Sequence, residues 1–595
     1  MPQLSEDDEF TLPFFARDAS AGQRIKNRTV LGLSGLALGS NRPRVTEMSA
    51  PIPKHPPTTL LQPAAATAAW APFRHRTFMV IWTATVVSNI GGWMYNVASG
   101  WLMTNLDSNP LTVSMVQVAN SLPMFLFAIP AGALMDIVDQ RRFLICGEVA
   151  VTITSTAFAA LVWLHLVTPI GLLLFSFIVT VGSAITYPAW QAVVTRLVPR
   201  PVLPAAVAAN SVGINVSRAV GPALGGIIVG AFGIAAPFWL NACSNIGVIA
   251  ALVWWRPPRT IGTRLPPEPL GGAIRTGFRH ARYNAHLSAT LIRATGFFVF
   301  ASAYWALLPL VARHQIAGGP GLYGLLLGAI GAAAVGGAFL LRQLRVKWGA
   351  DRLVAAATLA TSVATALFAF AHDAVTAVTA SLIAGASWIA AVSSLNVSAQ
   401  VALPEWVRGR GLAMYVTVMF GALTVGSALW GEIAAVAGLP AALVVAAVGA
   451  SIAIPLTRRW KLQTGVNVDF SPSMHWPDPV TTRTIEPDRG PVLVTIEYRI
   501  DPKRRDEFLR ALAEYSDARR RDGAYDWGIF EDPAEEGRFI ESFRTDSWLE
   551  HLRQHQRVTK ADRLQEQAVR NFQLGDGPKT THWIGAQPRG DPDPA

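Results

Sequence analysis

Between residues 78 and 456 the chain passes through twelve apolar stretches, each about 20 residues long, the length that crosses a hydrocarbon core. They run 78–103, 111–134, 143–165, 170–195, 204–231, 236–255, 287–311, 322–341, 353–371, 374–398, 411–435 and 440–456. No water is present inside a bilayer to satisfy backbone polar groups, so segments of this length must be helices. The charges mark the ends of the stretches. At one set of alternate breaks lie Arg74 and Arg76, Arg141 and Arg142, Arg196 and Arg200, six arginines from Arg256 to Arg282, Arg342 to Arg352, Arg408 and Arg410, and Arg458 to Lys461, whereas the other breaks carry only Arg313. Lys and Arg are retained on the cytoplasmic side, which predicts a multi-pass protein of the cytoplasmic (inner) membrane with both termini in the cytoplasm. A net charge of +11 would otherwise suggest nucleic acid, but here it is topology, and no nucleic-acid partner is expected. Cys146 and Cys243 lie inside apolar runs, so there is no disulfide framework or cysteine metal motif.

The acids sit elsewhere. Only nine fall between residues 71 and 461, against 22 between 486 and 595. Residues 1–70 have no helical or strand period and carry the Glu6–Glu9 acidic cluster, which predicts a disordered tail. Met48 opens a more ordinary lead-in and is read as the true start. Residues 71–461 form the membrane domain, with an N half at 78–255, a loop at 256–286 and a C half at 287–456. A Pro-rich linker at 462–488 leads to a soluble domain at 489–586, and 587–595 form a closing tail. In that domain Val492, Val494, Ile496 and Tyr498 alternate as a half-buried strand. Asp501-Pro502 opens a helix, strands follow at 527–530 and 539–543, Ser547 with Glu550 forms a capping box, and a last strand occupies 580–584. The expected fold is therefore an all-α membrane domain of twelve helices in two six-helix repeats, plus an α+β ferredoxin-like domain of βαββαβ order.

Two motifs in the membrane half carry a resemblance. Gly132-Ala-Leu-Met-Asp136-Ile-Val-Asp-Gln-Arg141-Arg142 resembles the gating loop between helices two and three of the major facilitator superfamily, with Asp139 where the family has Gly. Its chemistry is close helix approach at Gly132 and an acid–arginine latch at the membrane surface. Arg218-Ala-Val-Gly221-Pro222-Ala-Leu-Gly225-Gly226 is similar to the helix-five antiporter motif of facilitator exporters. Gly221 and Gly225 make a GxxxG packing step, and Pro222 frees a carbonyl. A shift of 205 residues sets Pro199 on Pro404, Gly221 on Gly426 and Gly226 on Gly431, the internal repeat that alternating access requires. Ser88-Asn-Ile-Gly-Gly-Trp-Met, Pro188-Ala-Trp-Gln191, Val407-Arg-Gly-Arg410 and Ser547-Trp-Leu-Glu-His-Leu-Arg-Gln-His narrow the resemblance to the enterobactin-exporter branch, whose members with a soluble end are transmembrane secretion effectors. The soluble end looks like antibiotic-biosynthesis-monooxygenase domains. The resemblance implies export of a siderophore, drug or secondary metabolite.

Ionisable groups inside a bilayer are costly and so are the first functional candidates. Arg218 is deep in span five and is read as a substrate anchor or a salt-bridge partner. Glu148 and Glu432 are candidates for proton coupling, Glu148 being placed first with the Asp136, Arg141 and Arg142 cluster. Asn89, Asn96, Asn120, Gln191 and Asn215 are candidate substrate contacts or helix glue. No Walker loop or cofactor motif is present, so protons rather than ATP are the expected drive, and no cofactor is expected. His551 and His555 have a metal-compatible i, i+4 spacing, yet no third ligand lies nearby in sequence. They are read as part of a solvated or dimer-facing helix, with no metal site. Two further readings stand beside the exporter: a cofactor-independent oxygenase with Trp527, Trp548, His551 and His555 lining its pocket, and a non-transporting sensor.

Overall fold

A computed structural model describes residues 70–134, 138–256, 270–463 and 469–586, apart from 474, 477, 478, 480, 482 and 483. The expected N-terminal tail with Met48, Asp136 of the gating loop, residues 257–269 and the closing tail lie outside the described residues.

The membrane half consists of α1 (Arg76–Leu106), α2 (Pro110–Leu134), α3 (Gln140–Trp163), α4 (Pro169–Leu197), α5 (Leu203–Phe232), α6 (Ala236–Trp254), α8 (Ala285–Leu310), α9 (Pro320–Ala369), α10 (Ala374–Val401), α11 (Arg408–Ala437) and α12 (Leu439–Thr457). Among the described residues eleven segments are long and apolar enough to cross a membrane, and α9 supplies two of them, at 320–341 and 343–369. The helix is broken by a kink at Gly349, inside the second of these, where a φ of 75° suits a residue without a Cβ. The twelfth pass is α1, which packs against α5 and α6. It is long enough, but Thr83, Thr85, Ser88, Asn89 and Asn96 lower its hydropathy, and several of these face a cavity.

One helix lies where a loop was expected. Segment α7 (Leu270–Tyr283) carries Arg275, Arg279 and Arg282 and buries Gly277, His280 and Ala281. It packs between α11 and the soluble domain. Its short apolar face alternates with charge, so a search for continuous apolar stretches passes over it.

The internal repeat governs the packing. A Cβ on Gly221 would come 2.5 Å from Trp93 Cβ of α1, and one on Gly426 would lie 2.5 Å from the Val299 carbonyl oxygen of α8. Likewise Gly226 of α5 meets Gly324 of α9, while Gly431 of α11 meets Ser114 of α2. The α5 glycines thus admit α1 and α9, and their counterparts in α11 admit α8 and α2, the corresponding neighbours that a two-fold repeat demands. Gly225 also packs on α1, at Met94 and Val97. Buried Pro222 has no N–H for the Arg218 carbonyl four residues back, and that carbonyl instead faces Gly331 of α9.

The soluble domain contains β1 (Val492–Arg499), α13 (Arg505–Arg521), β2 (Tyr525–Glu531), β3 (Arg538–Thr545), α14 (Trp548–Arg557), α15 (Lys560–Arg570) and β4 (Lys579–Ile584). The strands form one antiparallel sheet in the order β2-β3-β1-β4, the ferredoxin-like arrangement. The inward residues Val492, Val494, Ile496 and Tyr498 meet Phe508, Leu512 and Tyr515 of α13. Ser547 accepts from the Glu550 amide as expected, but the Glu550 carboxylate turns to Arg279 and Arg557. The reciprocal capping box is instead the one at Thr559 and Asp562.

A buried ionic cluster ties α13, α15 and the sheet together. Arg519 lies 3.4 Å from Glu541, and Glu541 also accepts from Tyr498 and Trp527. Glu566 accepts from Tyr515, His475, Trp476 and Arg570. Burial alone would push the Glu566 carboxyl up, but Arg519 and the Trp476 and His475 bonds hold it down at about 2, against an ordinary 4.5. A depressed carboxylate stabilises the fold above its unfolded value and loses that contribution as pH falls from about 4.5 towards 2. At about 1.4 kcal/mol per unit this amounts to roughly 3 kcal/mol. The unfolding midpoint of the soluble domain, followed by near-UV circular dichroism, is expected to fall steeply over that window. In Glu566→Gln the dependence should flatten and the midpoint at pH 7 should be lower; an unchanged acid slope would contradict the assignment.

Candidate functional site

The first six helices enclose a cavity of about 500 Å³. Its lining runs from Phe78, Leu197 and Val248, near the end that carries the soluble domain, to Tyr95, Asn96 and Asn120 near the middle of the bundle. From Phe78 to Asn96 is 18 residues of one helix, or about 27 Å at 1.5 Å per residue. At the opposite end the two halves are in contact. There Arg313 donates to Thr104 and Asn105 and stacks over Trp101, and Gly226 abuts Gly324. The bundle is therefore closed at the far end, with its cavity towards the soluble domain.

Four of the expected substrate contacts line this cavity: Asn89, Asn96, Asn120 and Gln191. Asn120 donates to Asn96 at 3.1 Å, and Gln191 donates to the Tyr187 hydroxyl at 2.9 Å. Glu148 also lines it and accepts from Trp190 Nε1 at 3.0 Å. This corrects its placement with the arginine cluster, because six residues along α3 from Arg142 its side chain points into the bundle. Asn215 is not among the lining residues and donates to the Ser211 carbonyl of its own helix. Glu432 is exposed, one residue beyond the Gly431 contact at the far end, and does not reach the cavity.

Of the gating-loop motif, a Cβ on Gly132 would meet nothing within 4 Å among the described residues. Arg141 donates to the carbonyls of Leu252 and Val253 at the end of α6, where the helix dipole favours a cation. The Arg142 amide is capped by Asp139. Asn241 and Asn245 of α6 also line the cavity, and Asn245 accepts from Ser88 at 2.7 Å. Their i, i+4 spacing inside an apolar span was the signal that could have found them.

Arg218 sits beside the cavity, midway along α5. Its guanidinium lies 5.7 Å from the ring of Trp93, a cavity-lining residue, and its Nε has no hydrogen-bond partner. Among the described residues no carboxylate pairs with it. Trp93 in turn meets Trp305 of α8, and Trp305 meets Trp388 of α10, so an aromatic chain joins the two halves beside an unpaired cation.

In the soluble domain Trp527 is tied to Glu541, while Trp548, His551 and His555 gather with His582 of β4. His551 is 1% exposed, so its face of α14 is not solvated as expected.

Two related six-helix halves, in contact at one end, with a polar cavity within the first, define a membrane transporter of the major facilitator type. The chain belongs to the transmembrane secretion effector family, whose pattern it matches over residues 67–589. It is 25% identical over 256 residues to the staphyloferrin A transporter of Staphylococcus aureus, covering 42% of this chain and 62% of that protein. It is 26% identical over 167 residues to the MFS-type transporter YfiS of Bacillus subtilis, covering 28% and 38%. The chain thus spans less than two thirds of the length of either relative. Among solved structures it resembles a POT family transporter in complex with a thioalcohol-conjugated peptide, with a TM-score of 0.52 at 12% identity over 64% of this chain and 95% of that one. It also resembles an inward-facing, unoccupied bacterial homologue of the human lysosomal transporter Spinster, with a TM-score of 0.50 at 15% identity over 65% and 97%. These relatives and structural neighbours are transporters.

Proposed function

We propose that this protein exports an anionic small molecule across the cytoplasmic membrane by alternating access, driven by protons. The observation that carries this reading is Arg218, a cation at mid-bundle with no acid partner among the described residues, set against the cavity-lining Trp93. A desolvated guanidinium is costly to leave unpaired, and an anionic cargo supplies the missing partner. Asn96, Asn120 and Gln191 offer hydrogen bonds to the rest of the molecule, and the aromatic chain from Trp93 offers an apolar wall. The relative named a staphyloferrin A transporter supports a siderophore as the cargo class. The arginine-rich loops support a cytoplasmic soluble domain, so the cavity opens to the cytoplasm and loads from inside.

Glu148 is the coupling carboxyl in this reading. Of the two candidate acids it alone lines the cavity, where protons and cargo enter by one route. In Glu148→Gln, net export is expected to fall at least about tenfold while cargo exchange across the membrane continues, because a coupling group is needed for the drive rather than for binding. Radiolabelled exchange in proteoliposomes, set beside net flux, distinguishes the two. The cargo itself is found by comparing small molecules in the medium of cells that express the wild type and cells that express Arg218→Ala. A compound enriched outside only with the wild type supports export. Identical media from the two strains, with both proteins present in the membrane, would refute it.

A further inference from the structure

We propose that His551, His555 and His582 form a three-imidazole site for a divalent transition metal of the zinc class. His551 and His555 lie one turn apart on α14, and His582 reaches them from β4. One ring nitrogen of each lies within 4.8 Å of the others. The rings of His551 and His555, and those of His551 and His582, are 4.8 Å apart between centroids. Zinc holds imidazole nitrogens at about 2.0–2.1 Å, which sets them about 3.4 Å apart in a tetrahedron. Closure therefore requires the widest pair to approach by about 1.4 Å, within reach of side-chain rotation alone.

An independent observation points to a ligand. His551 is 1% exposed, and Gln554 is the one side chain that bonds its ring, too poorly aligned to satisfy either buried nitrogen among the described residues. A buried polar group left unsatisfied costs about 1–3 kcal/mol, and a metal bond would remove that cost. Gln554, one turn along the same face, is equally buried beside that ring.

The surroundings fit metal better than a mere histidine stack. The nearby carboxylates are already engaged, Glu550 by Arg279 and Arg557, and Glu566 by His475, Trp476 and Arg570. A donor set of three nitrogens selects zinc, copper or nickel over calcium or magnesium. His555 and His582 are half-buried, which gives an ion a way in, and three protein ligands leave a fourth position for water or another group.

The full-length protein, purified in detergent with any affinity tag removed and stripped with a chelator, is titrated with Zn(II) against a chromogenic competitor and with Co(II) as a spectroscopic substitute. The wild type is expected to take up one equivalent and to give the intense visible bands of four-coordinate Co(II). His582→Ala and His555→Ala should each weaken binding at least about tenfold and bleach those bands. His582→Gln, which keeps a polar side chain on β4, guards against misfolding and should lose the metal as His582→Ala does, with unchanged near-UV circular dichroism. Absence of stoichiometric binding by the wild type, or undiminished binding by His582→Gln, would overturn the proposal.

Discussion

Replacing Arg218 with alanine is expected to abolish export while leaving the protein folded. Charge-assisted hydrogen bonds to a bound anion are each worth about 1.5–3 kcal/mol, so losing the guanidinium should weaken apparent cargo affinity roughly a hundredfold. The fold loses little, because among the described residues no carboxylate is left unpaired. The missing contact is the stack on Trp93, worth about 0.5–1 kcal/mol. A structural arginine would behave in the opposite way, with detergent stability collapsing and transport falling only in proportion. Arg218→Lys separates charge from shape. It keeps the cation but forfeits the planar fork and the stacking, so it should restore part of the transport and less than half of the affinity. Unimpaired export by Arg218→Ala would remove Arg218 from the cargo site.

The second large effect is expected at the far end of the bundle. A Cβ on Gly226 would come within 2.6 Å of the Pro320 carbonyl oxygen and 2.9 Å of Gly324 Cα. Both are backbone atoms, so no side chain can swing aside to make room. Overpacking of this kind costs about 1–3 kcal/mol, and the cost falls only on the conformation in which α5 and α9 touch. Gly226→Val should therefore shift the population away from the far-end-closed state by ten- to a hundredfold and stall the cycle. The check is a cross-link, made with a short bifunctional thiol reagent, between Asn105→Cys and Arg313→Cys, in a chain whose Cys146 and Cys243 are serine. The native side chains at those two positions are in contact in the closed state. The cross-link should form readily with Gly226 and fail with valine. Equal cross-linking in both backgrounds would mean that Gly226 has no part in closure.

Much of this architecture could be read from the chain. Length and apolarity mark the passes because the bilayer imposes both on every segment that crosses it, and the glycines of α5 and α11 are legible because their spacing repeats at 205 residues. The strand alternation of Val492 to Tyr498 records a sheet with one buried face. What escaped notice depends on distant partners. His582 is 27 residues from His555, and only the pairing of β4 with β1 brings it under α14. Glu148 sits six residues past an arginine pair, yet the helical turn directs it to Trp190 on α4. The cationic character of α7 conceals a helix whose burial is provided by α11 and α13. Whether Arg218 has an acid partner is likewise a question about neighbouring helices, which local sequence does not answer.

The most direct test of proton-driven export is flux in proteoliposomes that contain the purified wild type, using the compound enriched in the medium of expressing cells. With an imposed pH gradient that draws protons across the protein in the direction opposite to the cargo, the expected result is accumulation of cargo against its own gradient, stopped at once by a protonophore and absent with Glu148→Gln. Accumulation that continues undiminished after the pH gradient is collapsed would contradict it.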